Sequence, residues 1–172
     1  MIKKSVENAL NEQINAEFHS AYLYLSMSAY FLSSGLAGYA NWMRIQYMEE
    51  LAHATRFFDY VNERKGKVKL TPIAEVQVDF SGIVNVFEET LVHEQTVTGL
   101  INKLMDISIQ ENDHATRSFL QWFVDEQVEE EANVEQILDN LKLIKGEGQG
   151  LLMMDREMQT RVFVDPFAGA KA

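Results

Sequence analysis

Apolar residues recur at alternating steps of three and four through four long segments of the chain, and this spacing predicts amphipathic α-helices. The fourth segment keeps the spacing throughout: Leu120, Phe123, Gln127, Glu130, Val134, Ile137, Leu141 and Ile144. The first, second and third segments carry comparable stripes, which pass through residues 17, 50 and 94. The chain is therefore predicted to be all-α, with four long helices as its main elements.

Capping residues and glycines indicate where these helices begin. Ser5, Ser81 and Asp113 are the expected N-caps of the first, third and fourth helices. The second helix is expected to follow a short turn, Gly35 to Gly38, that ends the first helix. A turn this short makes the first two helices antiparallel neighbours.

Glycine, proline and basic residues indicate where the helices end. The second helix is expected to reach Gly66 with basic residues in its last turn, where the helix dipole favours them. The third helix is expected to end near Gln110 and the fourth near Lys145. Residues 151–161 are expected to form a short fifth C-terminal helix, and the tail after it is interrupted by Pro166.

Residues 67–80 have a different pattern, because Pro72 and alternating apolar residues indicate an extended connection. A helix of about 27 residues spans roughly 40 Å. The 14 residues of the connection, fully extended, reach roughly 46 Å. The connection can therefore run the full length of the bundle, which makes the second and third helices parallel. The predicted fold is a four-helix bundle with one long crossover.

Length and composition limit what this fold can contain. The chain has 172 residues, of which 47% are hydrophobic, and this is enough for one domain with a substantial core. We assign residues 1–161 to that domain and residues 162–172 to a C-terminal tail. Because the chain has no cysteine, disulfides, thiolate metal sites and a catalytic thiol are excluded. A reducing cytoplasm is the expected location.

The net charge of the chain favours cations as its ligands. A net charge of −11 argues against nucleic acid, whose phosphates are bound by lysine and arginine. The stretch from Ser20 to Met43 is uncharged and approaches membrane-spanning length, but serines and two glycines divide it. We therefore expect no nucleic acid and no membrane partner. Such an uncharged helix is expected to be buried inside the bundle and against another subunit.

Residue types that bind metals interrupt all four apolar stripes at a similar depth. Counted from the expected caps, the interruptions begin about 12 to 14 residues into helices of roughly 30, close to 20 Å along the axis. The midpoint of a helix lies at the same height in the bundle whichever direction the helix runs. One layer of the bundle is therefore expected to hold all of these residues. They are Glu17 on the first helix, Glu50 and His53 on the second, Glu94 on the third, and Gln127 and Glu130 on the fourth.

The charge of this layer favours metal. Its four glutamates sum to −4, and burying them without partners would cost several kcal/mol per ion or force protonation. Two divalent cations would neutralise them. Carboxylates with one imidazole suit iron or manganese better than structural zinc, and iron is the redox-active choice.

The alternative is a core of hydrogen-bonded polar residues, or side chains that face water. For any single helical glutamate this is the better explanation. Five or six such residues at one level, with Glu-x-x-His spacing, favour a two-metal site instead.

On these residues the chain resembles the ferritins, and most closely the haem-free bacterial ferritins, over residues 1–161. The matching motifs are Glu17 with Tyr24 seven residues later, Glu50-x-x-His53, Glu94 and Gln127-x-x-Glu130. The resemblance implies that Glu17, Glu50 and His53 bind a first iron ion. Glu50 would bridge to a second iron held by Glu94, with Gln127 nearby and Glu130 close by or ligating.

Two departures from related families qualify this resemblance. Relatives with a symmetric site carry Glu-x-x-His on two helices, and Gln127-x-x-Glu130 replaces the second copy here. The second iron therefore lacks an imidazole, which fits iron that passes through to storage. Leu51 and Ala52 stand where haem-binding bacterioferritins have a methionine ligand, so no haem is expected.

Three more acidic residues lie one helical step from the core positions: Glu49, Glu126 and Glu129. In similar bacterial ferritins these residues and Glu130 form a third iron site toward the cavity. An ordinary solvated acidic face explains them equally well.

Two aromatic residues lie near the level of the site. Resemblance favours Tyr24 as an electron donor during oxygen reduction, and Trp122 is left open. Aromatic residues at helical spacing are otherwise core residues.

The resemblance implies an iron-storage ferritin with ferroxidase activity. Such a protein oxidises Fe(II) with O2 or H2O2 and stores a ferric mineral in a hollow cage of twenty-four subunits. The fifth helix resembles the one that packs around the four-fold axes of that cage.

Three alternatives are open. A non-storing di-iron enzyme that reduces peroxide is expected to be a small oligomer. A DNA-shielding miniferritin usually lacks a fifth helix and builds its site between subunits. A purely structural bundle is expected to bind no iron tightly.

Overall fold

The computed structural model describes residues 2–169, which form five α-helices and no strand. The helices are α1 (Lys4–Ser33), α2 (Ala37–Glu63), α3 (Ile83–Gln110), α4 (His114–Leu143) and α5 (Gly148–Met158). The predicted all-α bundle of four long helices with a short fifth is confirmed. The end of the predicted tail, residues 170–172, lies outside the described residues.

The connection between α2 and α3 runs along α1. Near its start, the backbone N–H of Lys69 donates to Asn11 Oδ1 at 2.5 Å. Near its end, Ser26 Oγ donates to the carbonyl oxygen of Gln77 at 2.6 Å. Because residue numbers rise together in α1 and in the connection, both run in the same direction. Helices α2 and α3 therefore both run opposite to α1, and the predicted long crossover is confirmed.

The apolar core consists of two clusters, one toward each end of the bundle. Phe31, Met43 and Phe87 belong to the first cluster, and Leu10 and Phe57 belong to the second. On every long helix, a buried polar segment separates the residues of one cluster from those of the other. The bundle thus has an apolar layer, a polar layer and a second apolar layer along its axis.

Two predicted N-caps are wrong. Lys3 is the N-cap of α1, whereas Ser5 lies in the first turn and its Oγ donates to Glu111 Oε1 at 2.6 Å. At the start of α3, Gly82 rather than Ser81 is the N-cap, with a φ of 134° that favours glycine. Serine was expected because it is a common cap, but the N-cap of α1 lies two residues before Ser5 and that of α3 lies one residue after Ser81.

The bounds of three helices also differ from the prediction by a few residues. Helix α2 ends at Glu63, so no basic residue lies in its last turn, and Lys65 takes a left-handed conformation with φ 57°. Helix α4 ends at Leu143 instead of Lys145, and α5 begins at Gly148 and ends at Met158 instead of spanning 151–161.

Helix α5 packs on the beginning of α2. Asp155 Oδ1 accepts hydrogen bonds from the backbone N–H groups of Gly38 at 2.8 Å and Tyr39 at 3.1 Å. The carboxylate therefore caps α2, where the helix dipole favours negative charge. Gly38 is required there, because a Cβ atom would lie 1.6 Å from the carbonyl oxygen of Asp155.

None of the helices within residues 2–169 has both the length and the apolar character that a membrane crossing requires.

Candidate metal centre

Helices α1 and α2 bring three potential metal ligands together in the polar layer. One ligand atom each of Glu17, Glu50 and His53 lies within 4.8 Å of the others, and all three residues are buried. Glu50 and His53 are one turn apart on α2, and His53 Nδ1 is 3.7 Å from Glu50 Oε2. Two carboxylates and one imidazole therefore share one small volume between the two helices.

Helices α3 and α4 supply the opposite half of the layer. Gln127 Nε2 donates to Glu94 Oε2 at 3.2 Å, and Glu130 Oε2 accepts from Gln46 Nε2 at 2.8 Å. The Tyr24 hydroxyl donates to Glu94 Oε1. Glu94 and Glu130 are thus buried in the same layer, but each is held by a hydrogen-bond donor.

The two halves therefore differ in how ready they are to receive a cation. Within residues 2–169, only Glu17, Glu50 and His53 form a group of three acidic or histidine ligands at coordinating separation. Both carboxylate oxygens of Glu94 accept hydrogen bonds, so Glu94 reaches a cation only by giving up a donor, and Glu130 has one oxygen held by Gln46. The sequence predicts this asymmetry through the missing second imidazole, and hydrogen bonding adds to it.

Two glutamines in the layer were given no role by the sequence analysis. Gln13 Nε2 donates to Glu17 Oε1 at 2.8 Å, and Gln46 holds Glu130 across the bundle. Each glutamine precedes a glutamate, Glu17 or Glu50, by four residues, so it lies on the same face of its helix. In the sequence, this spacing of four residues was the signal that could have assigned both glutamines to the layer.

Three buried polar atoms at the centre lack a hydrogen-bond partner among the described residues. They are Gln46 Oε1, Glu50 Oε2 and His53 Nε2. Most buried polar atoms in proteins are hydrogen bonded, so three unpaired ones in one layer require an explanation. Oxygen and imidazole ligands of this kind fit a divalent cation such as Fe(II).

Burial also changes the acidity of the centre. Burial, and then the neighbouring Glu50 carboxylate, raises the pKa of Glu17 well above its ordinary range. The pKa of Glu50 is raised by burial and then by Glu94, and the pKa of Glu94 rises to about 7 through burial and then Glu130. Without a cation, the layer therefore retains protons near neutral pH.

Both aromatic residues singled out from the sequence contact the centre. Tyr24 is fully buried and hydrogen bonded to Glu94, and burial followed by the charge of Glu94 raises the pKa of its phenol well above 10. Trp122 packs edge-on against His53, with ring centroids 5.5 Å apart. Tyr24 thus contacts the α3 half of the layer and Trp122 the α2 half.

The acidic residues of the predicted third site are arranged differently. Glu49, Glu126 and Glu129 do not come together as a group of ligands at coordinating separation in the described part of the chain. Glu49 Oε2 instead lies 2.7 Å from Arg161 Nη2, beyond the end of α5. Arg161 was not predicted to have a role, because nothing in the local sequence around it links it to α2.

A four-helix bundle that buries carboxylates and an imidazole in one layer has the architecture of the di-metal carboxylate proteins. The model of the ferritin-like domain family matches residues 7–144. The chain belongs to this family.

Named relatives agree with the predicted resemblance to haem-free bacterial ferritins, which is confirmed. The bacterial non-heme ferritin of Bacteroides fragilis is 42% identical over 161 residues, which cover 94% of this chain and 100% of the relative. That of Staphylococcus saprophyticus is 39% identical over 163 residues, which cover 95% and 98%.

Solved structures give the same result. An engineered closed form of the Archaeoglobus fulgidus ferritin superposes with a TM-score of 0.94 at 48% identity, covering 95% of this chain and 100% of that one. The open-pore ferritin of the same archaeon gives a TM-score of 0.92 at 48% identity, covering 94% and 100%.

Proposed function

We propose that this protein is an iron-storage ferritin with ferroxidase activity, built as a cytoplasmic cage of twenty-four identical subunits. The observation that carries the proposal is the buried group of Glu17, Glu50 and His53 at the middle of the bundle. Membership of the ferritin-like family and similarity to bacterial non-heme ferritins support it. The domain is proposed to comprise residues 1–161, with residues 162–172 as its tail.

Two Fe(II) ions are the substrates in this proposal. Glu17, Glu50 and His53 bind the first ion, and Glu94 binds the second, with Glu50 between them and Gln127 and Glu130 adjacent. Each ion gives up one electron. One O2 takes two electrons and two protons to become H2O2, or one H2O2 takes the same to become two waters. The carboxylates stabilise the added positive charge of the two Fe(III) products.

The protons held by the centre participate in iron binding. Because burial raises the pKa values of Glu17 and Glu50, these carboxyls hold protons in the metal-free protein. They release those protons when a cation binds. Iron binding is therefore expected to weaken as pH falls. Each Fe(III) that leaves the centre reacts with two waters, releases three protons and forms one unit of ferric oxyhydroxide in the cavity.

The asymmetry of the centre suits a substrate site better than a permanent cofactor site. Glu94 and Glu130 have hydrogen-bond donors available when iron leaves, which are Tyr24 for Glu94 and Gln46 for Glu130. These donors stabilise the metal-free layer and lower the net affinity for the second ion. Fe(III) is therefore released for storage more readily than from a site with two imidazoles.

Oxygen consumption tests this proposal. Fe(II) is added at two ions per chain to the metal-free protein, and O2 uptake is recorded for the parent and for Glu50→Ala. We expect fast uptake in the parent and a loss of at least about tenfold in the variant, because Glu50 is proposed to contact both ions. Glu12→Ala removes an exposed carboxylate from α1 and is the matched control. Equal, slow uptake in all three proteins would refute the ferroxidase centre.

A second measurement separates storage from the alternative, a non-storing peroxide-reducing di-iron enzyme. The mass of the assembly is determined by sedimentation, and iron retained per particle is counted after repeated loading. The storage proposal requires a large hollow particle that retains many more than two ions per chain. A small oligomer that consumes H2O2 but retains two ions per chain would favour the alternative.

A further inference from the structure

The chain beyond α5 packs across α2 and α4, on the other side of the bundle from the long connection. Asn41 Nδ2 donates to the carbonyl oxygens of Met158 at 3.2 Å and Arg161 at 2.9 Å. Further on, the ring of Phe167 lies edge-on to Trp122, with centroids 4.6 Å apart. We call residues 159–167 the C-terminal strap. Its two ends are fixed at opposite sides of Glu49.

Arg161 is the cation of this strap, and two contacts hold its guanidinium. Nη2 lies 2.7 Å from Glu49 Oε2, and the guanidinium carbon lies 4.9 Å from the ring centre of Trp42. Nη1 is buried and has no hydrogen-bond partner among residues 2–169. Only 27% of the Arg161 side chain and 19% of the Glu49 side chain are exposed. A charge-assisted hydrogen bond so shielded from water is stronger than a surface ion pair.

The position of this guanidinium matters because of the carboxylates around it. Glu49 lies on the face of α2 that meets α4, and the charges of Glu130 and Glu126 act on it. Glu126 in turn is influenced by Glu129 and Arg161. A positive charge in this place lowers the repulsion among the carboxylates, as a bound metal ion would. A metal ion bound at Glu49 Oε2 would lie beside the Arg161 guanidinium, and the two positive charges would repel each other.

We propose that Arg161 is an internal cation that occupies Glu49 and excludes metal ions from it, so that the chain binds two ions tightly instead of three. Arg161 acts as a positioning residue, because it contacts Glu49 and not the ligands of the buried centre. Ions oxidised at the centre then meet a neutralised Glu49 on the α2 and α4 face and are not retained there. The inference depends on the proposed metal-binding function.

Counting bound ions tests the inference without relying on activity. The assembled metal-free protein is dialysed anaerobically against Co(II), which does not oxidise under these conditions, and bound cobalt per chain is measured as a function of free cobalt. We expect two tight ions in the parent. In Arg161→Gln we expect a third ion, bound about tenfold or more tightly than any third ion of the parent.

Companion variants make the result specific. Arg161→Lys keeps the charge and is expected to bind two ions, as the parent does. Arg161→Gln combined with Glu49→Gln is expected to return to two ions, which would place the third ion at Glu49. If Arg161→Gln does not assemble, Arg161→Met is measured in its place, because methionine retains an aliphatic stem over Trp42.

Different outcomes overturn different claims. Three tight ions in the parent, or two in both Arg161→Gln and Arg161→Met, would overturn the role of Arg161 and leave the proposed ferroxidase function intact. No tightly bound ion in the parent would overturn the proposed function together with this inference.

Discussion

Glu17 and Glu50 are buried side by side, and each has a pKa raised well above its ordinary value. A group whose pKa is raised on folding stabilises the native state below its unfolded pKa, near 4.5, and this contribution is lost as pH rises through the folded pKa. The folded pKa of about 7 at Glu94 places part of this loss near neutrality. The metal-free protein should therefore lose stability from this layer between pH 5.5 and pH 8.

Replacing one of these acids tests that expectation. Glu50→Gln removes a titrating group whose Oε2 has no hydrogen-bond partner in the described residues. We expect the melting temperature of the metal-free variant to fall less between pH 5.5 and pH 8 than that of the parent. Glu12→Gln, at an exposed position of α1, should follow the parent. Identical pH dependence in all three proteins would contradict the assignment of this loss to Glu50.

Tyr24 and Trp122 offer a second comparison of single residues. Tyr24 retains its proton because its pKa is raised well above 10, so it remains a donor to Glu94 throughout the physiological range. If Tyr24 gives an electron during oxygen reduction, samples frozen within a second of mixing should show a tyrosyl radical by electron paramagnetic resonance. Tyr24→Phe should abolish that signal, and Trp122→Phe should retain it. A signal that survives in Tyr24→Phe would exclude Tyr24 as its source.

The residues of this site differ in how well the sequence predicts them. Glu17, Glu50 and His53 interrupt apolar stripes, so their helical spacing alone places them in one buried layer. Gln13 does not interrupt a stripe, and only its spacing of four residues before Glu17 links it to the layer. Arg161 lies 112 residues from its partner Glu49, so its role depends on how the strap packs on α2, which no local periodicity contains.

At the scale of helices, one side chain of α5, Asp155, accepts the hydrogen bonds that join α5 to the first turn of α2. Asp155→Ala removes the side chain that caps the first turn of α2, and loss of a cap costs about 1 to 2 kcal/mol. We expect the melting temperature to fall by about 2 to 6 °C. Asp155→Asn keeps one acceptor and should recover part of the loss. A melting temperature unchanged in Asp155→Ala would show that the Asp155 carboxylate does not stabilise α2.

Helix ends show why local signals succeed at some places and fail at others. The expected cap Asp113 is confirmed, since its Oδ1 accepts from the backbone N–H of Thr116 at 3.1 Å. Ser5 fails because its hydroxyl bonds to Glu111, on a distant part of the chain. The cap of α2 comes from Asp155, more than a hundred residues later, so the local sequence around Leu36 contains no trace of it.

At the scale of the whole molecule, the described chain leaves a row of apolar side chains uncovered on its α1 side. Tyr22, Leu25 and Leu32 lie on one face of α1 at helical spacing, with exposed fractions of 53%, 36% and 59%. The adjacent connection adds Leu70 and Val78, each 67% exposed. A contiguous apolar face of this kind marks an interface between proteins. The uncharged stretch from Ser20 to Met43, which the sequence predicts to meet another subunit, includes these three residues of α1.

We therefore expect this face to join two copies of the chain in the proposed cage. Leu25→Glu with Leu32→Glu places two charges in the proposed interface, where they would be desolvated without partners. The double variant should sediment as a much smaller species than the parent, while its helical circular dichroism stays unchanged because both side chains lie outside the core clusters. Gln95→Glu, at an exposed position of α3, adds a charge elsewhere and should assemble normally. A double variant that still forms the parent's particle would place the contact between subunits on a different face.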